Sequence, residues 1–215
     1  MSGDVQVGPS DQDDVSRLRG VAGHSELAGH GELAGHGDLG GHGELGGEPA
    51  DQRRIVVVAH NLRSAHNVGS VMRTGEVFAV DTLHVTGFTP YPQHPGDERD
   101  PILAARQTRR LAKAAAGAER TMPWKRHDDV QELLDALRAD GFTVVGLEID
   151  PNAVGLGDYR PDTQVALVLG DEVRGISPEL RAQCDVLLQI PMYGRKSSLN
   201  VSVAAGIALY ALRTA

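Results

Sequence analysis

Beyond residue 52 the chain alternates short apolar runs with stretches of helical rhythm. Residues 55–59 are apolar without a break over a strand's length, and a polar loop follows. From Asn67 the spacing turns helical. Val68, Val71, Met72, Gly75, Phe78 and Ala79 fall on one arc, and Asn67, Ser70, Arg73 and Thr74 on the opposite side. Residues 82–87 predict a second strand, after which Pro90, Pro92 and Pro95 break the pattern. Asp100 before Pro101 marks a helix start, because the carboxylate can cap and the ring's missing N–H is not needed in the first turn. That helix is expected to end near Ala116. Another is expected over 128–140, apolar at Val130, Leu133, Leu134 and Leu137 and stopped by Gly141. Strands at 143–149, 165–169 and 186–190 and a helix over 199–212 complete the series. The last helix is apolar almost all round, which places it in the core or in an interface between subunits. Strands alternating with helices predict an α/β domain with a mainly parallel central sheet flanked by helices.

Composition divides the chain in two. Of 215 residues, 21 are Lys or Arg and 29 Asp or Glu, a formal charge of −8. Residues 1–50 hold 9 acids and 2 bases, so nearly all the excess lies there, together with 13 of the 26 glycines. Residues 23–46 repeat a hexapeptide four times, each unit with one Leu, too little burial to offset the entropy of a Gly-rich backbone. Residues 1–51 therefore read as a disordered low-complexity tail and 52–215 as the folded domain. His24, His30, His36 and His42 leave weak metal binding open beside a bland flexible tail, and no metal site is assigned. The single Cys184 excludes an internal disulfide and a multi-cysteine zinc site and fits a reducing compartment. With no apolar run of membrane-spanning length and no signal-peptide pattern, a soluble cytoplasmic protein is expected.

In parallel sheets, ligands bind beyond the carboxyl ends of the strands, which directs attention to the loops at 60–67, 170–177 and 192–199. Gly170 and Gly175 have a G-x-x-x-x-G spacing without the following Lys-Ser/Thr, so this is no phosphate-binding P-loop. No strand is followed by G-x-G-x-x-G, so a dinucleotide fold is unsupported. Both glycines are compatible with ordinary turn chemistry.

Three ordered segments say more. Asn67-Val68-Gly69-Ser70-Val71-Met72-Arg73-Thr74 comes first, then Leu167-Val168-Leu169-Gly170-Asp171-Glu172-Val173-Arg174-Gly175-Ile176. The third is Ile190-Pro191-Met192 leading to Ser197-Ser198-Leu199-Asn200-Val201-Ser202-Val203-Ala204. Together they resemble the motifs of the SpoU/TrmH family of SPOUT-superfamily RNA 2′-O-ribose methyltransferases, over about residues 53–213. The resemblance implies a C-terminal trefoil knot, a homodimer and S-adenosylmethionine as cofactor, with contacts at Gly170, Ile190 and Leu199. It also implies methyl transfer to a ribose 2′-hydroxyl of RNA, with Asn67, Arg73, Glu172, Ser198 and Asn200 as the matching polar residues. Each has a plainer alternative: core packing for Ile190 and Leu199, helix caps for Asn67, Ser198 and Asn200, surface charges or a salt bridge for Arg73 and Glu172.

RNA as partner asks for local positive charge. Arg106, Arg109, Arg110 and Lys113 stand at i, i+3, i+4 and i+7, a basic stripe with no interleaved acids, suited to phosphate contact or simply a solvated face. Trp124, Tyr91 and Phe88 are candidates for base stacking. Transfer RNA is slightly favoured over ribosomal RNA. The rival reading is a non-catalytic RNA-binding or assembly protein that retains the knotted dimeric fold.

Overall fold

A computed structural model of the chain describes residues 53–215. The expected tail and its four repeat histidines lie outside the described residues. Among the described residues seven strands and six helices follow in the order β1 (Arg54–His60), α1 (Ala65–Val77), β2 (Thr82–Thr86), α2 (Pro101–Ala115), α3 (Ala118–Thr121), β3 (Trp124–His127), α4 (Val130–Ala139), β4 (Thr143–Leu147), β5 (Val154–Gly155), β6 (Gln164–Leu169), α5 (Pro178–Arg181), β7 (Val186–Gln189) and α6 (Val201–Thr214). The sheet order is β3-β2-β1-β6-β4-β7-β5, and all six pairings are parallel.

Side chains alternate across each strand, so the sheet has two buried faces. Ile55, Val57 and Ala59 point to one face, packed with Met72, Leu111, Leu209 and Leu212. Val56 and Val58 point to the other, under Leu133, Leu134 and Leu137. Strands buried on both sides need continuous apolar runs, which is what β1 and β6 provide. Helices α1 and α2 approach so closely at Gly69 that an added Cβ would lie 2.2 Å from the Leu111 carbonyl oxygen.

Several ends differ from the sequence expectation for local reasons. Helix α1 begins at Ala65 because the Ser64 hydroxyl accepts from the Asn67 amide, so Asn67 is not the cap. Ala79, expected on the apolar arc, lies past the helix, exposed, with φ 50°. Asp100 and Gly141 act as expected: Asp100 accepts from the Leu103 amide and Gly141 has φ 87°. Helix α6 starts at Val201, capped by Asn200 and not by Ser198. Its inner face (Ala205, Ala208, Leu209, Leu212) is buried, while Val203, Ile207 and Tyr210 are 50, 40 and 59% exposed. Among the described residues no helix is long and apolar enough to cross a membrane.

Candidate active site

The strand order reverses at β1 and β6, which lie side by side with Ala59 opposite Leu169. The loops leaving their carboxyl ends therefore face each other, the usual place for a ligand in such a sheet. Glu172, from the loop after β6, is the centre of what they build. Its carboxylate accepts from the Arg63 amide at 2.7 Å, the Ser64 amide at 3.0 Å and Asn67 Nδ2 at 2.9 Å. Asn67 Oδ1 in turn accepts from Asn200 Nδ2 at 3.2 Å. Three sequence segments, the first more than a hundred residues from the other two, thus meet in one hydrogen-bonded chain. Burial works to raise the Glu172 carboxyl, but the Arg63 amide, the Asn67 side chain and the Ser64 amide outweigh it, so the group is held below its usual range and ionised.

Asp171 anchors the same loop. Its amide and carbonyl pair with Gly175 at 3.1 and 2.8 Å, closing residues 171–175 on themselves. Oδ1 accepts from the Val173 and Arg174 amides, and Oδ2 from Arg63 Nε at 2.5 Å. Burial would raise this carboxyl, yet Arg63 and the two amides hold it down at about 2. Gly170 is required by contact, because a Cβ there would lie 2.4–2.5 Å from the backbone of Gly175 and Ile176.

Behind this loop lies a cavity of about 200 Å³. Gly170, Ile190 and Leu199 all line it, as do Glu172 and Ser198. Leu147, Leu169 and Val201 supply further apolar wall, and Glu148, Asp171 and Glu172 three carboxylates. Among the described residues no Lys or Arg lines it. Glu148 was hidden in the sequence, because it falls inside the apolar stretch read as one strand over 143–149. It ends the strand by turning its carboxylate to the Ile149 and Ile176 amides. A charged residue inside that run was the available signal. Arg63 carried none beyond its place in a post-strand loop, and Asp171 stood within the second resembling segment without a role assigned to it.

Asn67, Glu172 and Asn200 are brought together, and Ser198 shares their cavity wall. Asn67 does not lie on the open side of its helix, as the wheel has it. It is 7% exposed because Glu172 and Asn200 satisfy its amide. Arg73 is elsewhere: six residues on, about 9 Å along α1, exposed and outside the Glu172 cluster. Beside it a shallow apolar groove runs between α1 and α6, lined by Phe78, Val203, Ile207 and Tyr210 among others.

The basic stripe is exposed on α2, as expected, but it divides. Arg106, Arg110 and Lys113 line a groove of about 460 Å³ with Arg63 and Ser64, which lead into α1, and His66 in its first turn, and Arg109 is not part of it. Tyr91 and Trp124 are half-buried and pack on each other, ring centres 5.8 Å apart, with the Arg99 guanidinium 3.5 Å from the Tyr91 ring centre. That packing occupies the faces expected to stack on bases. Phe88 remains 58% exposed.

A model of the SpoU rRNA Methylase family matches residues 99–210. A protein of Staphylococcus haemolyticus, named as a TrmH family tRNA/rRNA methyltransferase, is 34% identical over 155 residues, 72% of this chain and 56% of that one. The chain thus spans about half the length of the curated relatives it matches. Among solved structures, the TrmH/SpoU tRNA modifying enzyme of A. aeolicus aligns with a TM-score of 0.61 at 26% identity, covering 75% of this chain and 76% of that one. The SpoU methyltransferase AviRb of Streptomyces viridochromogenes, solved in complex with AdoMet, gives a TM-score of 0.61 at 24% identity over 75% of this chain and 57% of that one. That match is a likeness of fold.

Proposed function

The chain belongs to the SpoU rRNA Methylase family, and from that premise we propose that it is an S-adenosylmethionine-dependent methyltransferase acting on a ribose 2′-hydroxyl of RNA. The observation that carries this is the junction of Glu172, Asn67 and Asn200 beside the cavity lined by Gly170, Ile190 and Leu199. Apolar walls suit a flat purine, and a lining with carboxylates and no cation suits a positively charged ligand. The family's cofactor has both features. When bound, it supplies the electrophilic methyl group.

The chain's own residues then have positional tasks. Glu172, on the cavity wall, fixes Asn67, and Asn67 fixes Asn200, so two amide side chains are held in place to position the ribose. Ser198, on the same wall, is a further hydroxyl for orienting the nucleotide. The groove of Arg106, Arg110 and Lys113 is also lined by residues 63–66, whose first two amides hold Glu172, and it gives the RNA backbone a cationic path toward the cavity. Transfer RNA is the favoured substrate, since the A. aeolicus tRNA modifying enzyme is matched over most of its length.

The same reading includes a homodimer through the open face of α1 and α6, where Val203, Ile207 and Tyr210 leave an apolar surface uncovered. Arg73 flanks that face, so a second copy gives it a route to the partner's cavity that it lacks on its own chain. A guanidinium stays charged at neutral pH, which suits it to clamp the target phosphate and favour the alkoxide, with a phosphate oxygen or water taking the proton. The C-terminal trefoil knot also belongs here, with residues 190–200 returning past the 170–175 loop so that Leu199 and Gly170 line one cavity.

The test is methylation of total RNA by the purified protein with methyl-labelled S-adenosylmethionine. Label retained in alkali-resistant dinucleotides is the expected result, because a 2′-O-methyl group blocks hydrolysis of the next phosphodiester. RNA binding without label transfer would point to the non-catalytic alternative.

A further inference from the structure

Among the described residues, Arg63 is the one whose side chain both belongs to the lining of the basic groove and bonds the wall of the acidic cavity. Its amide donates to Glu172 at 2.7 Å and its Nε to Asp171 at 2.5 Å. The side chain is nonetheless 49% exposed, and its Nη groups make no hydrogen bond among the described residues. One edge of the guanidinium is thus engaged on the cavity wall, while the other is open beside Arg106, Arg110 and Lys113. A guanidinium can hold a carboxylate through Nε and an oxyanion through its Nη pair at once, because its five donors lie in one rigid plane.

The carboxylate it holds is the hub of the loop that walls the cavity. Asp171 binds the Val173 and Arg174 amides, pairs with Gly175 and precedes Glu172. Whatever fixes Arg63 therefore fixes residues 170–175. We propose that Arg63 is an RNA-phosphate contact that transmits groove occupancy to the cofactor cavity through Asp171, so that RNA and cofactor strengthen each other's binding. This deepens the functional reading above and rests on it. The coupling is positive because a phosphate on the open edge holds the guanidinium in the orientation that already serves Asp171. It is also reciprocal by thermodynamic necessity.

The experiment measures S-adenosylhomocysteine affinity by calorimetry, with and without saturating unfractionated transfer RNA, on the full chain. The homocysteine form has no methyl group to transfer, so binding is read without turnover. Wild type should bind it about fivefold or more tighter with RNA present. Arg63→Gln should bring that ratio to about one while still binding the ligand alone. Arg110→Gln should weaken RNA binding but keep the ratio, since Arg110 lines the groove without touching Asp171. Arg63→Lys, a milder change should Arg63→Gln fail to fold, keeps the charge but not the two-edged geometry; it should retain part of the RNA affinity and lose the ratio. A wild-type ratio of one with both ligands bound would overturn the inference and leave the functional reading standing. So would a ratio that survives in both Arg63 variants. Wild type that binds neither ligand would sink the functional reading, and this inference with it.

Discussion

The cavity behind the 170–175 loop keeps its charges engaged, whereas the groove along α2 leaves its charges open. Glu172 has three N–H donors, Asp171 an ion pair and two amides, and Glu148 two amides. The side chains of Arg106, Arg110 and Lys113 make no hydrogen bond or ion pair among the described residues. Both regions adjoin residues 63–66, so the contrast is not one of location. Carboxylates held by backbone amides form a rigid wall, which can select a small ligand by shape and sign. Unpaired cations on one helix face have no fixed partner geometry, which suits a polyanion recognised along its backbone. On the proposed function, rigidity serves the cofactor and openness the RNA.

The sharpest way to break this contrast is to remove the wall's central charge. Glu172→Ala leaves two backbone amides and the Asn67 side chain without their acceptor. Water reaches this half-buried site, so the expected stability loss is about 1–3 kcal/mol by denaturant titration. Turnover should fall further, on the order of 100-fold, because Asn67 and Asn200 lose their fixed positions. A variant with wild-type turnover would show that the network is only structural.

Arg73 belongs to neither region, and its substitution asks whether the two suffice. Arg73→Ala should cost turnover on the order of 100-fold and leave S-adenosylmethionine binding intact, since Arg73 does not line the cavity. Arg73→Lys separates two roles. A phosphate clamp predicts poor activity at every pH, because lysine has no bidentate fork. A proton acceptor predicts recovery as pH rises toward lysine's own titration. Undiminished activity in the Ala variant would remove Arg73 from the mechanism.

The groove can be tested by salt. Replacing Arg106, Arg110 and Lys113 together with Gln should flatten the log–log salt dependence of RNA binding by about 2, at about 0.7 per lost contact to single-stranded RNA. Arg109→Gln, outside the groove, should do much less. Equal effects would mean that general charge, not the groove, attracts RNA.

The smallest effect concerns acid. Asp171 has its folded carboxyl depressed to about 2, below the roughly 3.9 of an unfolded chain. Its contribution to stability is therefore present above about pH 4 and lost as pH falls through about 2. The melting-temperature gap between wild type and Asp171→Asn should narrow between pH 5 and pH 2. A gap that widens on acidification would contradict the assignment.

The buried strands were legible because parallel strands covered on both faces must be apolar throughout, as 55–59 and 165–169 are. Strand β3 was not, since Trp124-Lys125-Arg126-His127 forms the sheet edge and its charges meet solvent. Strand β5 has two residues, too few for a pattern. Sheet order lay beyond any local reading, and with it the meeting of Arg63 and Glu172. Asn67 shows the limit most clearly. A helical wheel weighs a residue against its own helix, but Asn67 is buried by partners 105 and 133 positions away. Gly170, Ile190 and Leu199 were named through motif resemblance, and the fold places all three on one cavity.

The most direct test of this division of labour is a crystal structure of the chain with S-adenosylhomocysteine. The account predicts the adenine between Gly170, Ile190 and Leu199, the sulfur facing Glu172 and Asn200, and the α2 groove without ligand. Density for the ligand in the groove, or anywhere but behind the 170–175 loop, would contradict it.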